Sequence, residues 1–69
     1  MKCVLKWTNK YSQETGYVGK VLKSKGHFVN AECKEEAKKY ASEKSAIKDV
    51  AILDSIGETE ANSFHIVAA

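Results

Sequence analysis

The stretch NAECKEEAKKYASEKSAIKDVAIL, from Asn30 to Leu53, decides how this 69-residue chain is built. Asn30 is a good N-cap residue, because its side-chain oxygen can accept a free N–H of a first helical turn. Glu32 follows where the helix dipole favours an anion. Cys33, Ala37, Tyr40 and Ala41 then recur at helical spacing, and so do Ala46, Ile47, Val50 and Leu53. At about 100° per residue, the second stripe lies roughly 130° around the cylinder from the first. One straight helix would bury one stripe and expose the other. The pattern therefore predicts two short helices that break near Ser42, with Ser42 capping the second at Glu43. One kinked helix through residues 33–55 is the alternative. Gly57 ends the second helix as the residue beyond its C-cap.

On either side of this stretch the period is two. Residues 2–8 alternate Cys3, Leu5 and Trp7 with Val4, Lys6 and Thr8, as a strand does. The polar run Asn9–Gly16 reads as a loop. Residues 17–23 read as a second strand, Ser24-Lys-Gly26 as a tight turn and residues 27–30 as a short third strand. Beyond the acidic turn at residues 58–63, residues 64–68 alternate again. Helices must lay their stripes on something, and a half-apolar antiparallel sheet is what the chain supplies. The expected fold is α+β, a single domain over residues 1–69 in the order β-β-β-α-α-β. Three to four antiparallel strands carry both helices on one face. Strict alternation puts Cys3, Leu5, Trp7, Tyr17, Gly19, Val21, Phe64 and Ile66 on the helix face. The other face takes Val4, Lys6, Thr8, Val18, Lys20, Leu22 and Val67.

Size and composition narrow the function. A chain this short removes only roughly 60% of its unfolded surface from water, enough for one modest core. It is 43% hydrophobic and 29% charged, with a mean hydropathy of −0.39. No apolar run exceeds four residues, as in Ile66-Val67-Ala68-Ala69, far short of the ~20 that span a bilayer. Met1-Lys2 leads directly into alternation, so neither a signal peptide nor a membrane partner is expected, and a cytoplasmic location is. The net charge of +2 is unevenly spread: residues 1–31 carry +5 and residues 32–69 carry −3. All eleven cations are Lys. The missing Arg argues against sequence-specific reading of guanine edges, and AT-rich coding accounts for it plainly.

The residue types that carry chemistry are sparse. Cys3 and Cys33 stand 30 residues apart and are expected as free thiols rather than a disulfide. Cys3, His27, Cys33 and His65 are zinc-type ligands, but their spacing matches no compact zinc pairing, so no metal or other cofactor is expected. Neither His27 nor His65 lies near a cysteine in sequence, and no phosphate-binding glycine motif is present. The expectation is a protein that is not an enzyme and takes no small-molecule substrate.

Two binding readings remain. Val4, Val18, Leu22 and Val67, rimmed by Lys6, Lys20 and Thr8, would form an apolar stripe across the second sheet face. Contiguous stripes of that kind mark protein interfaces, most simply a homodimer, with one foreign protein as the other partner. The candidate interface residues are Val4, Lys6, Val18, Lys20, Leu22 and Val67. The alternative is weak, sequence-tolerant nucleic-acid binding through Lys2, Lys10, Tyr11, Lys20, Lys23 and Lys25. Against it, alternation places Lys6 and Lys20 opposite Trp7 and Tyr17. That leaves only Tyr11 free to stack.

The Lys-rich, Arg-free hairpin followed by Glu35-Glu36-Ala37-Lys38-Lys39-Tyr40, Ser42-Glu43-Lys44 and Ala46 resembles the small orphan proteins of phages and prophages in low-GC bacteria. The likeness lies in general layout. It implies a cytoplasmic protein that binds and modulates a host macromolecule, and it carries over no site residues.

Overall fold

The structure is a computed structural model that describes residues 2–69. Four strands, β1 (Cys3–Asn9), β2 (Thr15–Leu22), β3 (His27–Ala31) and β4 (Asn62–Ala68), form one antiparallel sheet in the order β3-β2-β1-β4. One helix, α1 (Glu43–Ser55), crosses it, and short 3-10 turns occupy Lys23–Lys25 and Glu58–Glu60. Among the described residues, no helix is long and apolar enough to cross a membrane.

The local signals for turns and caps act where the side-chain chemistry places them. Asn9 Oδ1 accepts from the backbone N–H groups of Tyr11 and Ser12, both at 2.9 Å, which bends the chain out of β1. Gly26 closes the β2–β3 turn at φ 72°. Ser42 caps α1, its hydroxyl accepting from the Ser45 N–H at 3.4 Å. Gly57 follows the C-cap residue Ile56 at φ 86°.

Two expectations fail. The first is the first helix. Residues 32–41 form a turn and then an extended segment, so the chain carries one α-helix rather than two. The cause lies in the sheet. β1 and β2 pair only over Lys6–Thr8 against Thr15–Tyr17, and beyond Lys6 they part. Residues 38–40 fill the fork. Cys3 and Tyr40 exchange backbone hydrogen bonds of 3.0 and 2.8 Å, while the Lys38 N–H donates to the Val18 carbonyl at 3.0 Å. An extended chain satisfies both split strands, whereas a helix would leave their buried groups unpaired. Ala37 packs with Val4 and Ala31 on one face of the sheet, and Tyr40 packs with Leu5 and Leu53 on the other. The connection thus passes between the faces through the fork, and the apparent helical stripe is divided between two cores.

The second failure is the phase of β2. Its register against β3 shifts between Val18 and Lys20, a bulge at Gly19. Strict alternation cannot hold through such an insertion. Val18 therefore belongs with Cys3, Leu5, Ala46 and Leu53 under α1, while Tyr17 lies on the far face with Val4 and Val67. After the bulge Val21 returns to the helix face beside Phe28. Along that face Phe28 meets Phe64 edge-on at 5.5 Å and Trp7 at 6.2 Å.

Candidate interaction surface

The apolar stripe expected across the second sheet face is not open. Val4 and Val18 are both 0% exposed. Val18 lies under the helix because of the bulge, and Val4 is covered by Ala37 and flanked by Tyr17 and Val67. Neither can touch a partner. Of the other expected interface residues, Lys20 is exposed on β2, while Lys6, Leu22 and Val67 are half-buried. Lys6 stands between Tyr17 and His65 in the cross-strand row. What remains of that face is broken up by polar side chains.

The basic set is dispersed as well. Lys10 and the 81%-exposed Tyr11 lie in the β1–β2 loop, at one end of the sheet. Lys2, Lys23 and Lys25 lie at the other end, roughly 20 Å away at the rise of a strand. Lys10 Nζ is also engaged, donating to the Thr59 carbonyl at 2.8 Å. The one free ring is thus separated from most of the cations meant to act with it.

The chemistry-bearing side chains do not converge either. Cys3 is buried beneath α1, whereas His65 is exposed on the opposite face beside Lys6. His27 sits exposed at the β2–β3 turn, and Cys33 is a free, half-buried thiol beyond β3. Glu35, fully exposed, is held below the usual carboxylate range by its own backbone N–H and then by the Cys33 thiol. Among the described residues, no three metal-ligating side chains come together.

The polar cluster inside the molecule has a structural task. Asp49 Oδ2 accepts from Tyr40 Oη at 2.5 Å and from Lys38 Nζ at 2.9 Å. Lys38 also lies over the Tyr40 ring, 5.1 Å from its centre. These bonds tie the segment in the fork to α1.

A different surface stands open, at the free edge of β4. The strand is seven residues long, pairs with β1 in unbroken register and, among the described residues, has no strand on its other side. Its sequence, NSFHIVA, contains no Lys and no Pro, the residues that ordinarily blunt an edge. The opposite edge strand, β3, has only five residues and sits against the bulge. The Ala69 N–H donates to the Lys2 carbonyl, which sets the alternation along β4. Ser63, His65 and Val67 turn their backbone groups toward β1. Asn62, Phe64, Ile66 and Ala68 turn theirs outward.

Beside this edge runs one flank of α1. Asp49 faces Lys38 and Tyr40, and at about 100° per residue Glu43, Ile47 and Asp54 lie roughly 120° to 160° around the helix from it. Glu43 lines a hollow of about 130 Å³ with Lys2, Cys3, Ile66, Val67 and Ala68. Asp54 Oδ1 accepts from Thr59 Oγ1 at 2.6 Å, just before β4. Both contacts put that flank on the β4 side. There Ile47 is 56% exposed on a helix whose other outward residues are mostly polar or small. Alternation in the sequence shows β4 as a strand but does not show its place at an edge, which depends on long-range pairing. In the sequence Ile47 belongs to the stripe with Ala46, Val50 and Leu53, yet the helix turns it outward, because α1 buries Ala46, Asp49 and Leu53 instead.

No family model matches this chain, and neither a curated protein nor a solved structure shows significant similarity to it.

Proposed function

We propose that this chain is a small, non-enzymatic binding module that works by protein–protein association, taking an extended protein segment along the free edge of β4. The single observation that carries this reading is the unprotected seven-residue edge running beside Ile47 and the hollow at Glu43. Backbone hydrogen bonds to Phe64 and Ile66 would supply affinity. Alternate side chains of the added strand would fill the groove against Ile47 and Ile66 and supply specificity. The segment comes from a second copy or from a host protein, the latter being what the resemblance to small phage and prophage proteins implies. The reading keeps association as the activity and moves it from the sheet face to the sheet edge.

The test is a titration of the ¹⁵N-labelled protein with a capped, lysine-flanked peptide of alternating valine and threonine, alongside dilution of the protein itself. Shifts confined to β4 amides and Ile47 support the reading. Shifts on β3 or in the lysine-bearing loops, or none under either condition, contradict it.

A further inference from the structure

We infer that the occupant of the β4 edge is a second copy of this chain, paired antiparallel about a two-fold axis at His65. The inference rests on the edge-association reading above and adds the partner and the register. Geometry restricts the choice of register. Asn62, Phe64, Ile66 and Ala68 carry the outward backbone groups, so only even-numbered residues can face one another in hydrogen-bonded pairs. The register that uses the whole strand sets Phe64 against the partner copy's Ile66 and Asn62 against its Ala68. His65 then meets its own symmetry mate on the axis. Shifting the axis by one residue in either direction leaves strand residues unpaired.

The side chains suit this arrangement. On the helix face, Phe64 and Ile66 of the two copies become neighbours, and aromatic–aliphatic cross-strand pairs are favourable. The exposed Ile47 of each copy lines the same groove. Charge is complementary at the two ends of the seam. The acidic turn Glu58–Glu60 precedes β4, and the exposed Lys2 lies at the far end of the strand, where Ala69 bonds to it. Antiparallel pairing brings the acidic turn of each copy toward the Lys2 end of the other. Lys2 of each copy thus approaches the Glu58–Glu60 turn of the other. A two-fold pairing also covers the β4 edges of both copies at once and gives a continuous eight-stranded sheet.

Sedimentation equilibrium at tens to hundreds of micromolar tests the partner, and His65→Cys tests the register. The pair on the axis is not hydrogen-bonded, with Cα atoms about 4.5 Å apart, inside the range a disulfide spans. The wild type is expected at twice the 7.6 kDa chain mass. Ile47→Lys is expected to weaken the dimer at least about tenfold with an unchanged circular dichroism spectrum. Mild oxidation is expected to cross-link His65→Cys, but not a control carrying Ser63→Cys. A dimer that cross-links at Ser63 and not at His65 overturns the register. A wild-type monomer throughout this range overturns the second copy as occupant. If that monomer still takes the valine–threonine peptide at β4, edge association stands without self-pairing; if it does not, both fall.

Discussion

The phenol of Tyr40 donates to Asp49 Oδ2 at 2.5 Å, and that bond joins the segment filling the sheet fork to the only α-helix among the described residues. Both residues are buried, and Lys38 Nζ reaches the same oxygen at 2.9 Å. Loss of one partner strands another polar group out of water. Tyr40→Phe is expected to cost about 1–2 kcal/mol and Asp49→Ala about 1–3 kcal/mol, since the latter orphans the phenol. Urea unfolding of both variants measures this. Midpoints equal to the wild type would show that the fork is held without the bond.

The same contact gives a pH dependence. Burial first, and the hydrogen bond to Asp49 second, push the Tyr40 phenol above its ordinary value of 10.0. The folded state therefore favours the neutral phenol, whereas the unfolded chain ionises at the ordinary value. The stabilisation is complete below pH 10.0 and is lost as pH rises above it. Wild-type stability should fall more steeply than that of Tyr40→Phe above this pH, with phenolate absorbance at Tyr40 appearing together with unfolding. Parallel stability curves for the two proteins would contradict the assignment.

Gly16 lets an indole cross its strand. Trp7 Nε1 donates to Asn30 Oδ1 at 2.7 Å, over the position where a Gly16 side chain would stand. A Cβ there would lie 2.7 Å from Trp7 Nε1 and 2.8 Å from Cε2, and would also collide with the Asn30 amide oxygen. Gly16→Ala is expected to destabilise by about 1–3 kcal/mol and to shift the fluorescence of the sole tryptophan. An unchanged spectrum would mean that the indole does not lie across β2.

The separation of Tyr11 from Lys23 and Lys25 predicts little nucleic-acid affinity. Fluorescence anisotropy of labelled single- and double-stranded oligonucleotides should stay nearly flat at physiological salt. Micromolar binding that collapses with added salt, and weakens on every sequence when Lys20 and Lys23 are neutralised, would restore the basic residues as a functional surface.

Where sequence reading succeeded, the deciding interactions are local. Ser42 caps the residues just after it, Gly26 and Gly57 adopt the positive φ that their turns require, and alternation marks β1 and β4. Where it failed, the deciding partner is distant. Residues 33–41 have helical spacing, yet Cys3 and Val18 supply backbone partners that draw residues 38–40 into an extended path. The bulge at Gly19 is set by pairing with β3, and it exchanges the faces of Tyr17 and Val18. The candidate interface inherited that error, because half its apolar members, Val4 and Val18, are core residues. The β4 edge was illegible for the same reason: strand order is a property of the assembled sheet.

Amide hydrogen exchange followed by NMR at low and high protein concentration reads the two sides of β4 separately. His65 and Val67 turn their N–H groups toward β1 and should exchange slowly at both concentrations, whereas Phe64 and Ile66 turn theirs to the open edge. Edge association through a second copy predicts that the Phe64 and Ile66 amides exchange fast when dilute and become protected as concentration rises. Fast exchange of those two amides at every concentration, with the protein at a single monomeric mass, would contradict it.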